Sequence, residues 1–275
     1  MFRPIYIVAK KEIMDNIRNK WIIILTIIFA ALTLVTSYFG SIFSTGWQDL
    51  AITIGLMMSL VQLLIPIIAL ILGYAAIIGE IERGSMSALL SQPFTRLEIL
   101  IGKFVGLGSI LAITIFVGFG IAGIVIALNV PDVDFIQYLI FIAATILIGL
   151  VFLSIAIFFS TVFKKRTAAI GGAIFLWFLF NMILPIVFVG ILTASTGFEN
   201  LMTGEIPTWY YVMSLINPLS IYSIFTTLAL DIVAQGELIT VYPDFFSSEL
   251  MIILLVVWIV VFQLLAYWRF SKKDI

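Results

Sequence analysis

The sequence predicts an all-α integral membrane protein with six transmembrane helices, and three observations lead to this class. Hydrophobic residues make up 63% of the 275 residues and charged residues only 11%, a composition too apolar for a soluble domain of this length. The uncharged runs are long and continuous, without the ten-residue alternation of a transmembrane β-barrel. All 14 lysines and arginines fall in four groups, and one orientation places all four on the same side of a membrane.

Six uncharged stretches are each about as long as the ~20 apolar residues that a spanning helix needs. The predicted transmembrane regions are 21–48, 50–79, 104–131, 135–163, 167–198 and 250–268. An even number of crossings returns the chain to the side where it began. The termini are therefore expected on the same side.

The positive-inside rule identifies that side as the cytoplasm. The basic groups occupy residues 3–20, 83–103, 164–166 and 269–273, which are the two termini and the loops after spans two and four. The segments on the other side carry only acidic charge: Asp49, Asp132, Asp134, Glu199, Glu205, Asp231, Glu237, Asp244 and Glu249. We therefore predict a multi-pass protein of the cell membrane with both termini cytoplasmic.

The outer segment 199–249 contains an uncharged stretch, 208–230, that is long enough to cross as a seventh span. A crossing there would place the last basic group outside, against the charge rule. Asn217-Pro218 also interrupts any helix in the middle of the stretch. We predict two short re-entrant helices before the last span, at about 208–216 and 218–234.

Residues 1–20 have the pattern of an amphipathic helix on the inner membrane surface. At 100° per residue one face collects Phe2, Ile5, Tyr6, Ala9, Ile13 and Ile17. Lys11, Asp15 and Arg18 lie opposite. Two roles remain open: a lipid anchor that orients span one, and a helix that also contacts a cytoplasmic partner.

The cytoplasmic segment 80–103 is too long for a tight connector. A short helix is predicted from Ser85 to Ser91, between Gly84 and Pro93. Thr95 is a plausible N-cap for a further helix that starts at Arg96 and runs into span three. Apolar side chains here would be exposed unless something covers them: Leu89, Leu90 and Phe94. Such a helix suits coupling to a soluble domain.

Several kinds of site are excluded by composition. The chain has no cysteine and no histidine, which removes disulfides, the usual zinc ligands and His-dependent triads. Gly102-Lys103 is followed by Phe104 instead of Ser or Thr, so no Walker A motif is present and this chain is not expected to bind ATP. No metal, cofactor or nucleic acid is expected as a partner.

Glycines inside the spans are interpreted as sites of close helix packing. This applies to the G-x-G-x-x-G match of span three, which has no preceding strand. The glycines concerned are Gly102, Gly106, Gly118, Gly120, Gly123, Gly171 and Gly172.

Three polar residues within the spans, Gln62, Asn181 and Gln263, either line a pathway or form interhelical hydrogen bonds worth about 0.6–2 kcal/mol each. Pro66 and Pro185 predict kinks in spans two and five. No charged residue falls within the six predicted spans, which argues against ion-coupled secondary transport. Glu80 and Glu82 point to different sides of a helix, and Arg83 and Arg96 are their expected partners.

A set of residues in this chain resembles the loop between spans two and three of ABC transporter permeases of the type-2 exporter class. The matching residues are Glu80, Glu82, Gly84, Ser85, Leu89, Leu90, Pro93, Arg96, Leu100, Gly102 and Lys103. Lys11-Glu12 and Arg18 before span one, the short basic loop 164–166 and the outer re-entrant segment extend the resemblance. Within that class, the chain is most similar to the subgroup containing the permease that serves nitrous oxide reductase maturation.

The resemblance implies a non-catalytic permease subunit of an ATP-driven exporter that forms a translocation or force-transmitting pathway. It implies a dimer of separate ATPase subunits that bind ATP and Mg²⁺, and a second permease copy, in contact with membrane lipid. The implied coupling residues are Glu80, Glu82, Arg83, Gly84, Leu89, Leu90, Pro93, Arg96 and Lys103. The alternatives are a secondary transporter or a stand-alone membrane scaffold. The substrate and an outer accessory protein are left open.

Overall fold

A computed structural model describes residues 2–43, 50–129, 135–196, 206–230 and 242–273, and every regular element in these ranges is helical. Twelve α-helices and one π-helical turn follow one another there. They are α1 (Phe2–Ile17), α2 (Lys20–Phe43), α3 (Leu50–Gly73), α4 (Ile78–Glu82), α5 (Ser85–Leu90), α6 (Arg96–Asn129), α7 (Phe135–Val162), α8 (Arg166–Phe178), the π-turn (Leu179–Ile183), α9 (Leu184–Thr196), α10 (Thr208–Ser214), α11 (Pro218–Leu230) and α12 (Ser248–Ser271).

Five helical segments of the described chain are long and apolar enough to cross a membrane: Ile54–Glu82, Arg96–Leu128, Phe135–Val162, Arg166–Thr196 and Ser248–Ser271. The predicted first span corresponds to α2, whose 24 residues extend about 36 Å, more than the ~30 Å hydrocarbon core of a bilayer. The predicted all-α, multi-pass fold is confirmed. The predicted helix from Arg96 is continuous with span three, so that a single helix extends from Arg96 to Asn129.

The bundle is organised around α7, the most buried of these long helices. Its aromatic and branched side chains pack against α3, α6, α11 and α12, and Phe141 and Phe152 are fully enclosed. Span five, from Arg166 to Thr196, and α12 keep most of their surface exposed. Exposed apolar surface is expected of helices that face lipid or a second membrane protein.

Span two breaks near its end, between Gly73 and Ile78. A Cβ on Gly73 would lie 2.6 Å from the Ala156 Cβ, so the two backbones approach closely here. The Ser160 hydroxyl accepts the freed backbone N–H groups of Ile77 at 2.9 Å and Ile78 at 3.0 Å. The break is thus satisfied by α7, as a membrane-embedded backbone requires.

The sharp bend at Asn217-Pro218 is confirmed, because α10 and α11 meet at 114°. The described part of α11 ends at Leu230, and the predicted continuation to residue 234 lies outside the described residues. The same is true of most of the predicted outer acidic residues: Asp49, Asp132, Asp134, Glu199, Glu205, Asp231 and Glu237.

The glycine predictions are confirmed at five of seven positions. A Cβ on each of these five would lie too close to a neighbouring helix or side chain: Gly102, Gly106, Gly118, Gly123 and Gly172. A Cβ on Gly120 or Gly171 would have no described atom within 4 Å. The prediction is therefore wrong at those two glycines, since regular spacing in the sequence does not decide which side of a helix has a close neighbour.

Candidate functional site

A buried ion cluster lies where α1 packs against the first turns of α6. Lys103, with a side chain only 1% exposed, lies between two carboxylates: its Nζ is 2.6 Å from Glu12 Oε1 and 2.9 Å from Glu80 Oε1. Lys11 donates a second hydrogen bond to Glu80, at 2.7 Å. A buried amine needs such partners, because an unpaired charge there is costly. The ion cluster joins α1, span two and span three.

The ion cluster can form because α1 approaches α6 closely. A Cβ on Gly102 would lie 2.6 Å from the Val8 Cβ, and one on Gly106 would lie 2.8 Å from the Ala9 carbonyl oxygen. Val8, Ala9 and Glu12 form the buried stripe of α1. The two glycines therefore bring Glu12 within reach of Lys103.

The predicted apolar face of α1 is only partly covered by the rest of the protein. Ala9 is buried, whereas Tyr6 is 65% exposed and Ile17 is 55% exposed. The helix instead buries the side on which Val8 and Ala9 fit against the α6 glycines. Close fit to a glycine surface outweighs the larger apolar side chains, which remain free for lipid.

The Lys11 amine belongs to the half-exposed edge of the ion cluster. Burial disfavours its charged form, but the hydrogen bond and the charge of Glu80, with smaller contributions from Glu12 and Asp15, outweigh burial and raise the pKa of Lys11. The ion pair is thus present throughout the neutral range.

The predicted short helix of the 80–103 segment is present as α5. Gly84 precedes it in the left-handed conformation, with φ of 73°, which glycine adopts without strain. Met86 is completely buried and anchors α5 to the bundle core. The exposed side of the helix is formed by Ser87 and Ala88, with Ser91 after its end.

Leu89, Leu90 and Phe94, which were expected to be exposed unless something covered them, are partly covered by the protein itself. All three are half-buried and pack against the core of this same chain. Pro93 is exposed in the turn that follows. What α5 offers to another protein is therefore mainly its small polar side.

The start of α6 is capped as predicted. The Thr95 hydroxyl accepts the Glu98 backbone N–H at 3.2 Å, and the Glu98 carboxylate accepts the Thr95 backbone N–H at 2.9 Å. This reciprocal arrangement is a capping box. It fixes the turn by which the chain leaves the cytoplasmic segment and enters span three.

Arg96 and Lys273 form what we call the C-terminal clamp. Arg96 Nη1 donates to three backbone carbonyls near the end of α12, those of Phe270, Ser271 and Lys273, at 2.6, 3.0 and 2.9 Å. Lys273 Nζ donates in turn to the carbonyls of Thr161 at 2.9 Å and Phe163 at 3.0 Å, at the end of α7. Cations suit helix C-termini, where carbonyls lack intrahelical donors.

The two acidic residues of span two have different partners, as their spacing predicts, but not the partners that we expected. Glu80 pairs with Lys103 and Lys11, and Glu82 pairs with Arg166, accepting its backbone N–H at 2.8 Å. Arg83 donates to the Gly79 carbonyl at 3.0 Å. The expectation that Arg83 and Arg96 pair with the two acids is therefore wrong, since both are used to cap helix ends.

Among the predicted site residues, the structure brings Lys11, Glu12, Glu80 and Lys103 together. Arg18 lies exposed beyond the end of α1, away from them. The helical segment of span two extends to Glu82. This span, predicted without charge, therefore includes Glu80 and Glu82 at its end. Because their basic partners neutralise both acids, they are not a free ion-coupling site.

Two asparagine side chains, Asn181 and Asn217, donate to backbone carbonyls that proline leaves without a partner, and we call this pair the amide relay. Pro66 cannot donate to the Gln62 carbonyl, and Asn181 Nδ2 donates to it instead, at 3.1 Å. In the π-turn, the Phe180 carbonyl would accept the backbone N–H five residues later, but that residue is Pro185, which has none. Asn217 Nδ2 donates to this carbonyl instead, at 2.8 Å. The amide relay thus links span two, span five and the α10–α11 pair.

Gln263 differs from the residues of the amide relay. Its side-chain oxygen and nitrogen are both buried, and neither has a hydrogen-bond partner in the described part of the chain. The expected interhelical hydrogen bond is therefore absent at this residue within those ranges.

A family model described as "ABC-2 family transporter protein" matches residues 6–275. The chain belongs to this family. It is 31% identical to a probable ABC transporter permease protein NosY of Pseudomonas aeruginosa over 278 residues, which cover 98% of this chain and 99% of that protein. It is 34% identical to a protein of the same name from Stutzerimonas stutzeri over 279 residues, covering 97% of both chains. The resemblance seen in the sequence is confirmed.

As an ABC-2 permease, the chain is a non-catalytic membrane subunit of an ABC transporter. Its described residues contain no group of three or more histidine, cysteine, aspartate or glutamate side chains that could hold a metal ion.

Three contributions to this structure were not predicted from the sequence: the buried Met86, the hydrogen bonds to Ser160, and the hydrogen bond from Asn217 to the Phe180 carbonyl. The missing N–H groups of Pro66 and Pro185 signalled that two carbonyls needed donors, and an asparagine beside a helix break is a suitable donor. No sequence signal pointed to Met86 or Ser160.

Proposed function

We propose that this ABC-2 permease is the membrane subunit of an ATP-driven exporter in which two permease copies work with a separate ATPase dimer that binds ATP and Mg²⁺. The end that carries the termini faces the cytoplasm, in agreement with the one-sided distribution of lysine and arginine. The subunit transmits the work of the ATPase across the membrane. The relatives named above are described as permeases, which supports this assignment.

One observation carries the coupling part of the proposal: α5 is an anchored helix with an exposed side. Met86 holds it to the core, while Ser87, Ala88 and Ser91 remain uncovered. A rigid, small-residue surface suits insertion into a groove of a partner protein, because little conformational entropy is lost on binding.

The ion cluster explains how movement of α5 would reach the spans. Glu80 precedes α5 by five residues and is held by Lys103 of span three, which is held by Glu12 of α1. Ser85 also donates to the Glu80 carbonyl, at 3.3 Å. A displacement of α5 therefore moves α1, span two and span three together.

An Ala88→Glu substitution tests the coupling surface, and Ala168→Glu is its matched control. Both alanines are exposed, and Ala168 lies in the first turn of α8, where acidic residues are tolerated. The residues Leu89 and Leu90 are unsuitable, since they pack on the core. A charge in the centre of an interface costs about 2 kcal/mol or more, or about 30-fold in affinity.

We expect Ala88→Glu to lose co-purification with the ATPase and transport-coupled ATP hydrolysis, while membrane insertion and thermal stability stay unchanged. Ala168→Glu should retain both activities. Equal ATPase retention by the two variants would show that α5 is not the coupling surface.

A further inference from the structure

A cavity of about 320 Å³ lies at the outer end of the bundle, between span five and the α10–α11 pair. This volume is at the small end of the range for ligand pockets, about 300–1,000 Å³. Among the described residues that line the cavity, none is charged. Its polar character comes from amides, serines and tyrosine rings, among them Gln62, Asn181, Asn217, Tyr210, Tyr211 and Tyr242.

The cavity reaches deep into the membrane. Gln62 follows Leu50, the first residue of α3, by twelve positions, which places it about 18 Å along the helix. The hydrocarbon core is ~30 Å thick, so Gln62 lies near its middle. The cavity thus extends from the outer end to about the midplane.

Gln62 has an unused hydrogen-bonding side chain at that depth. Its backbone carbonyl is occupied by Asn181, but its side-chain amide makes no hydrogen bond to any described residue. Gln62 is partly buried and lines the cavity. Its amide is therefore available to a ligand that can donate or accept a hydrogen bond.

The wall of the cavity also contains the π-turn Leu179–Ile183, which contributes Phe180 and Asn181. Single π-turns within α-helices are rare and frequently occur at functional sites. Here the turn directs the Phe180 carbonyl to Asn217. This local irregularity is an observation independent of cavity size and of the free Gln62 amide.

We propose that the cavity is a binding site for an uncharged, hydroxyl-bearing molecule with one apolar face, which enters from the outer side or leaves through it. The Gln62 amide supplies a donor and an acceptor for hydroxyl groups, and the tyrosine rings supply surfaces for the apolar face. An ionised ligand would lose its hydration without meeting an opposite charge. The inference rests on the proposed function, to which it adds the substrate class.

A matched pair of probes tests the ligand class. They are phenyl β-D-glucopyranoside and phenyl β-D-glucuronide, in which a carboxylate replaces the hydroxymethyl group of the sugar. Since the chain has no cysteine, Ser220→Cys places a single thiol in the cavity lining. The rate of its reaction with N-ethylmaleimide is measured with each probe present. Equilibrium dialysis of the radiolabelled probes against the unsubstituted permease measures binding without the cysteine.

We expect the glucoside to bind and to slow thiol labelling, and the glucuronide to bind at least about tenfold more weakly, because its charge would be buried without a partner. Gln62→Met, a change of similar volume, should abolish protection by the glucoside while leaving thermal stability equal or higher. Gln263→Met removes an unpaired amide outside the cavity and should leave protection unchanged.

Equal binding of the two probes, or no binding of the glucoside, would overturn the proposed ligand class. Loss of stability in Gln62→Met would show that this amide has a structural partner and would equally contradict the inference. Both measurements use the permease without its ATPase, whereas co-purification tests the proposed coupling. Failure of one can therefore be told apart from failure of the other.

Discussion

Replacing Lys103 by methionine should destabilise the protein far more than the same replacement at Lys11. Both amines contact Glu80 Oε1 at nearly the same distance, 2.9 Å for Lys103 and 2.7 Å for Lys11. They differ in burial, since the Lys103 side chain is 1% exposed and the Lys11 side chain 43%. The pair of variants therefore compares a buried amine, which also contacts Glu12 at 2.6 Å, with a half-exposed amine at the same Glu80 carboxylate.

The expected magnitude follows from what each substitution leaves behind. With an effective dielectric constant of about 20, a unit-charge pair separated by 2.6–2.9 Å is worth about 6 kcal/mol before desolvation is counted. Removal of Lys103 leaves Glu12 and Glu80 buried near one another, and breaking a buried pair costs about 3–5 kcal/mol. Removal of Lys11 breaks a solvent-screened pair worth about 0–1 kcal/mol.

Thermal unfolding of the purified protein in detergent, followed by tryptophan fluorescence, measures the difference. At about 2–4 °C per kcal/mol for a domain of this approximate size, Lys103→Met should lower Tm by ~6–20 °C and Lys11→Met by at most ~4 °C. The triple variant Glu12→Gln, Glu80→Gln, Lys103→Met should recover most of the loss, because no charge remains buried. Similar Tm values for the two single variants would refute the assigned burial of Lys103.

Two further predictions concern α1 and its contacts. Gly106→Ala should cost about 1–3 kcal/mol in unfolding free energy and loosen α1, because its Cβ would lie 2.8 Å from the Ala9 carbonyl; Gly120→Ala, with no described atom within 4 Å, should be neutral or stabilising by up to about 1 kcal/mol. Protease cleavage of α1 measures the first effect, and equal cleavage of both variants would contradict it. The Lys11 pKa is raised above 10.5 in the folded protein, so the stability contributed by its contact with Glu80 is fully present below pH 10.5 and is lost as pH rises through the raised pKa. Stability measured from pH 9 to 12 should show an alkaline loss that is smaller in Lys11→Met, and an unchanged profile in that variant would be inconsistent with the assignment.

Much of the fold could be predicted from the sequence because its signals are local. Length and apolarity of the uncharged runs predict the spanning helices, and Asn217-Pro218 predicts the bend between α10 and α11. Gly84 and Thr95 predict the ends of α5 and α6 because each acts on its own turn. These are properties of a few neighbouring residues, which the sequence displays directly.

The candidate site was harder to predict because burial depends on partners distant in sequence. The sequence predicts Lys103 at the basic end of a cytoplasmic loop, and only the approach of α1 to Gly106 shows that Lys103 is enclosed. The sequence likewise presents Leu89 as an apolar residue of that loop, yet the core of the same chain covers part of it. Periodicity places residues on a face of a helix but does not identify what that face contacts.

The C-terminal clamp has a consequence for biosynthesis. Synthesis and insertion proceed from the N-terminus, so the carbonyls of Thr161 and Phe163 lack this donor until Lys273 has been made, 110 or more residues later. Arg96 likewise meets its three acceptors only when the end of α12 has been made. A chain terminated after Arg269 would keep nearly every spanning residue and still lack the contacts that hold the end of α12 to α6 and α7. Such a permease would be inserted in the membrane without the end of its last helix fixed to the bundle.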